Sequence, residues 1–189
     1  DDGHCEIKDI RLALNLLRKT SPNSVEYFVS KYKIYNPTFE PILTEYLDDN
    51  TKIWNMVHCN YSHMLYAIAG MAHQLPKRNM PAGKRYAHAL RLMNMNYHFL
   101  NSYNAGAVIE MRMGGDRDLA LAAKLDKNPT EEAEFTYNEE CEQMAGWLDN
   151  YRECFQITEE QEKTQQFGLA LIDSFQWKLF KQYLMETNK

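Results

Sequence analysis

An all-α, multihelical domain is the fold class this sequence predicts, and three observations predict it. Apolar residues recur at helical spacing along most of the chain. The breaks between those stretches carry helix caps and stops, among them Ser21-Pro22-Asn23, Asp49-Asn50-Thr51, Asn104-Ala105-Gly106 and Asn128-Pro129-Thr130. No regular alternation of strands with helices occurs, which argues against a parallel sheet. The expectation is about seven or eight helices, with at most one or two short extended segments, in a single helical domain over residues 1–189.

Glu6 to Arg18 reads as the first helix, with Ile7, Ile10, Leu14 and Leu17 on one face. Ser21-Pro22-Asn23 breaks it, and Asn23 or Ser24 caps a short second helix through Phe28. Lys31 to Asn36, with Tyr32, Ile34 and Asn36 alternating, suits a brief extended segment. Asn36-Pro37-Thr38 opens a helix to about Leu47. Asp49-Asn50-Thr51 caps a long fourth helix to about Leu75, striped by Ile53, Val57, Met64, Ile68, Met71 and Leu75. Gly70 inside it lowers helix propensity, which implies close packing against a neighbour. Pro76 and Pro81 bracket a basic loop, Lys77-Arg78, before a helix from Gly83 to Tyr103. Ala107 to Met113 suits an extended segment ending at Gly114-Gly115. Asp116 to Lys127 is a short helix, and Thr130 caps an acidic helix to about Phe155. Thr158-Glu159-Glu160-Gln161 is a capping box for a last helix to about Glu186.

The helix from Gly83 to Tyr103 organises the rest. Tyr86, Leu90, Met93, Tyr97 and Leu100 form its expected apolar stripe. A second stripe holds Lys84, His88, Arg91 and His98, since steps of four, seven and fourteen residues return to nearly one face. Arg offers a planar fork, Lys a point charge, and His a donor that can become charged, so all three suit phosphate. A solvated helix more often interleaves acids with bases at four-residue spacing. No acid occurs between Gly83 and Ile109. The plain alternative is a basic surface helix; the sharper reading is the anion-binding wall of a cleft.

Composition narrows the function classes. Hydrophobic residues make up 44% of 189, enough for a core, and the 25% charged fraction argues against wholesale disorder. The net charge is -5, yet bases cluster from Lys77 to Arg91 while Glu131 to Glu142 is acidic. A local basic site on an acidic protein fits a small anionic ligand better than duplex wrapping. Cys5, Cys59, Cys141 and Cys154 are scattered without a Cys-x-x-Cys, so reduced thiols and a cytoplasmic location are expected. No run approaches the roughly 18 apolar residues of a membrane span, so no membrane partner is expected, and no signal peptide is read at the start. The chain opens on Asp1-Asp2-Gly3-His4 without an initiator Met, which reads as a piece of something longer.

No metal site is expected. Asp116 and Asp118 after Gly114-Gly115 invite a metal reading, but carboxylates two apart on a helix do not converge. Acids in a first helical turn follow from capping and the helix dipole alone. His58, His63 and His73 lack the four-residue spacing of a helical zinc pair. No Gly-x-Ser-x-Gly elbow and no P-loop is present. The rings of Trp54, Trp147 and Trp177 are read as packing residues, and so are the aromatics of the last helix (Phe167, Phe175, Trp177, Phe180, Tyr183).

Four stretches together resemble one family. They are Glu6 to Leu17 with Ser21-Pro22-Asn23-Ser24-Val25-Glu26, the aromatic run Tyr27 to Tyr35, the helix bearing Gly70, and Lys84-x-x-x-His88-x-x-Arg91-Leu92 with Arg112 and Gly114-Gly115 beyond. Their order is similar to the C-terminal helical region of the RlaP-type, RNA-ligase-associated nucleotidyltransferases of the DNA polymerase β superfamily. Ser21 departs from the Asn of the family's turn. The resemblance covers Glu6 to about Leu125. It implies that 1–189 is the C-terminal part of a longer nucleotidyltransferase. A palm with Gly-Ser and Asp-x-Asp would lie N-terminal to it and hold the catalytic carboxylates. This chain has no Gly-Ser dipeptide, so its own catalytic residues are unknown and no cofactor is expected in it; Mg is expected only with the palm. Asp1 or Asp2 would be the palm's third carboxylate. The implied phosphate- or nucleotide-binding residues are Lys84, His88, Arg91 and Arg112. The implied partners are a nucleoside triphosphate or phosphate-bearing substrate, with RNA and a homo-oligomer as further candidates. The alternative is a non-catalytic helical protein-interaction module, with the acidic Glu131–Glu142 face and the aromatic last helix as its contact surfaces.

Overall fold

The computed structural model of the protein describes residues 9–30, 33–107 and 116–188. Among these the chain is all-α. Nine helices follow one another: α1 (Ile10–Arg18), α2 (Pro22–Val29), α3 (Glu40–Leu47), α4 (Asn50–Val57), α5 (Tyr61–Gln74), α6 (Ala82–Ala105), α7 (Asp116–Leu125), α8 (Glu131–Cys154) and α9 (Glu159–Thr187). A single 3-10 turn, Leu75–Lys77, sits between α5 and α6. Glu6, Ile7 and Lys8 of the expected first helix, and Ala107–Met113 beyond its first residue, lie outside the described residues. Lys33 to Asn36 forms no strand.

Local chemistry explains the ends. Asp9 caps α1 by accepting from the Arg11 amide at 2.8 Å, and Asp49 caps α4 by accepting from Thr51 and Lys52. Thr130 caps α8 through the Ala133 amide. Gly106, at φ 61°, closes α6 in the left-handed region, with its N–H bonded to Ser102 and Tyr103. The second helix starts earlier than expected. Ser21 is its N-cap and Pro22 its first residue, where the missing N–H does no harm; Ser24 instead donates to the Ser21 carbonyl at 2.8 Å.

The long fourth helix expected from Asn50 to Leu75 is two helices. It breaks at His58, Cys59 and Asn60. The His58 ring is fully buried, with Nδ1 2.7 Å from the Trp54 carbonyl, and the Cys59 thiol donates to the Leu17 carbonyl at 3.3 Å. Side-chain bonds to backbone carbonyls thus replace helical continuity there. Thr20 completes this corner: it is buried, at φ 43°, with Oγ1 3.6 Å from the Cys59 sulfur. Burial pushes the Cys59 thiol up to about 11, so it behaves as packing, not as a nucleophile.

The helices group into two compact units. One comprises the chain up to Tyr61 together with Glu159 onward; the other runs from Ser62 to Thr158. In the first, α9 packs along α4 and also touches α1 and α3. Its core includes Leu14, Leu17, Val25, Met56, Ile172 and Phe175, with Tyr46 stacked on Phe175 at 4.6 Å. Gly168 of α9 lies against the Asn55 carbonyl of α4, where a Cβ would sit 2.2 Å from the oxygen. In the second unit α6 packs against α7 and α8. Gly83 of α6 meets Ala123 of α7 in the same way, and a Cβ would lie 2.0 Å from the Ala123 oxygen. Gly70 does not fulfil the close-packing expectation, since a Cβ there would meet nothing within 4 Å.

The buried face of α6 also differs from the expected stripe. Tyr86 is buried, Leu90, Met93 and Leu100 are half-buried, and Tyr97 is 62% exposed. Ala82, Ala89, Leu92, Met95, Asn96 and Phe99 line the inside instead. Gly83 lets α7 come close at the start of α6, whereas the large Tyr97 lies outward. The packing role expected of Trp147 and Trp177 is also revised: they are 47% and 59% exposed. On α9 only Phe175 of the named aromatics is fully buried.

Candidate functional site

The cationic residues are positioned by the start of α6. Pro81 precedes the helix and supplies no side-chain cap, although its carbonyl accepts from Lys84 and Arg85 at 3.0 and 3.1 Å. Two bases in a first helical turn oppose the helix dipole, which favours anions there. Arg85 is accounted for by structure. Its guanidinium donates to the Met80 carbonyl at 2.7 Å and to Asn138 Oδ1 at 2.6 Å, tying the preceding turn to α8.

Lys84, His88 and Arg91 follow the other side of the helix. Lys84 is exposed, while His88 and Arg91 are half-buried. His88, Arg91 and Leu92 line a recess of about 20 Å³ with Met71, Leu75 and Arg78. That is room for about one water, so any phosphate would rest on the recess rather than inside it. Lys124, from the last turn of α7, acts on the same point. Burial lowers the proton affinity of His88, and Arg91, Lys84, Lys124 and Arg78 lower it further. The charged neighbours that act most strongly on His88 are all cations.

The site thus holds two of the residues read from the sequence, with Lys84 alongside. Arg112 lies outside the described residues. Arg78 and Lys124 were not assigned to the site. Arg78 carried a signal, the basic loop between two prolines; Lys124 carried none, because only the α6–α7 contact brings it near. His98 is half-buried and sets its ring against Tyr97.

Other candidates resolve into structure. Asp116 accepts from Asn94 Nδ2 at 3.0 Å. His73 pairs with Asp149, which also meets Arg152 at 3.1 Å. Among the described residues no three His, Cys, Asp or Glu side chains gather as a metal site. No helix among them is long and apolar enough to cross a membrane.

The first unit carries a different feature, an apolar groove of about 790 Å³. Ile10 and Leu14 of α1, Leu43 of α3, and Trp177, Phe180 and Tyr183 of α9 line it. The Asp9–Arg11 pair stands at its edge, and Arg18 braces it by pairing with Asp173 and donating to Gln176 at 2.8 Å. No family model, curated protein or solved structure matches the chain.

Proposed function

We propose that this chain is the helical substrate-side part of a polymerase β-like nucleotidyltransferase, and that the cationic face of α6 binds phosphate. The ligand is a nucleoside triphosphate or a phosphate-bearing acceptor. One observation carries the reading: Arg78 of the turn before α6 and Arg91 of α6 line one recess with His88, and Lys84 and Lys124 act electrostatically on the same histidine. Such a concentration of positive charge is favoured further when an anion binds against it. Arg91 and Arg78 supply planar forks at the recess, and the exposed Lys84 and Lys124 supply point charges. On this reading the chemical step belongs to the palm that the resemblance implies, not to these residues. They bind and neutralise; palm carboxylates would carry out transfer.

Calorimetric titration of a nucleoside triphosphate into wild-type and Arg91→Ala protein tests this. Losing a charge-assisted pair is worth about 1.5–3 kcal/mol, so affinity is expected to fall roughly 10- to 100-fold. Equal affinity in both proteins removes the phosphate role.

A non-catalytic protein-interaction module is the second reading, favoured by the exposed aromatics that line the groove, Trp177, Phe180 and Tyr183. On this reading the groove meets a second copy of the chain. Light scattering of wild-type and Trp177→Ser/Phe180→Ser protein tests it. An oligomer that becomes monomeric in the variant, with no triphosphate binding by either, favours the module; a monomeric wild type rejects it.

A further inference from the structure

His88 differs from its cationic neighbours in one respect: it can shed its charge. It is half-buried in a recess that it lines together with apolar Met71, Leu75 and Leu92 and with Arg78 and Arg91. The charged groups acting on it come from three places in the chain. Lys84 and Arg91 share its helix, Lys124 comes from α7, and Arg78 comes from the turn after α5. A permanent fifth cation at this point would add repulsion to burial in the empty protein. A neutral imidazole avoids both, and it still offers one N–H donor.

We propose that His88 takes up a proton when a phosphate-bearing ligand settles against Arg78, Arg91 and Lys124, which makes binding at this site proton-coupled. The inference rests on the phosphate reading above. The ligand's negative charge offsets the surrounding cations and pairs with the imidazolium, so the charged form is favoured only while the ligand is bound. The sign follows from linkage. His88 holds its proton less readily than an ordinary histidine when the site is empty, and more readily when it is filled. Its contribution to affinity therefore grows as pH falls through the bound-state value. The gain levels off below the empty-state value, which lies under the usual 6.5.

The measurement is the pH titration of the histidine Cε1–H signals by NMR, with and without saturating inorganic tripolyphosphate, over about pH 5 to 8. The chain has six histidines, and the signal absent from His88→Gln identifies the one of interest. Should that variant not fold, His→Gln variants of the other five histidines assign the His88 signal by elimination. The expected result is an upward move of the His88 midpoint by about one pH unit or more on binding, with the other five moving less. Calorimetry in two buffers of different ionisation heat is expected to show a proton uptake that is smaller in His88→Gln; the ligand's own titration cancels in that comparison. Tripolyphosphate that binds without moving the His88 midpoint overturns this inference and leaves the phosphate site standing. Tripolyphosphate that does not bind at all overturns both.

Discussion

Gly168→Ala is expected to destabilise the protein by roughly 3 kcal/mol. The new Cβ would stand 2.2 Å from the Asn55 oxygen and 2.8 Å from the Cys59 Cβ. The first of these is backbone, so no side-chain rotation relieves it, and α9 must move off α4. That movement disturbs Ile172 and Phe175, which are fully buried one and two turns further along α9. Helix propensity works the other way, since Ala is about 1 kcal/mol better than Gly in a helix interior. Gly70→Ala supplies the control: with nothing within 4 Å of its Cβ, only the propensity term applies and stability is expected to rise by up to about 1 kcal/mol. Urea unfolding followed by circular dichroism reads both. Opposite signs are the prediction, and a neutral Gly168→Ala would mean that the α4–α9 contact is slack.

Gly83→Ala is expected to cost about 2 kcal/mol and to weaken triphosphate binding several-fold as well. Its Cβ would fall 2.0 Å from the Ala123 oxygen and 2.8 Å from the Ala123 carbonyl carbon. Relief requires α7 to retreat from α6. Lys124 is the next residue, so the retreat carries one of the cations around His88 with it. Urea unfolding and calorimetric titration with triphosphate, run on the same preparations, link the two effects. Lost stability with unchanged affinity would show that Lys124 adds little to the site.

The sequence made the caps legible. Asp49, Thr130 and Gly106 act through bonds to neighbouring amides and carbonyls, so a few adjacent residues decide them. The interruption at His58–Asn60 was hidden because Ile53, Val57, Met64 and Ile68 keep helical spacing across it. The bonds at the break include one to a partner some forty residues away, from the Cys59 thiol to the Leu17 carbonyl. The inner face of α6 was misread for a related reason. Spacing ranks residues by apolarity, whereas the close approach of α7 selects for a small residue, Gly83. The site was legible only along one helix. Lys84, His88 and Arg91 share a period, but the residues that complete their surroundings arrive through tertiary contact.

The first unit is assembled from the two ends of the chain. On a ribosome this has a timing consequence. Helices α1 to α4 emerge early, yet α9, which packs on α1, α3 and α4, follows roughly a hundred residues later, about 5–20 s at ordinary elongation rates. During that interval the nascent protein lacks the α9 packing against α1, α3 and α4, and chaperones have access to the faces it leaves open. The contiguous unit from Ser62 to Thr158 has all its partners sooner and can close while synthesis continues.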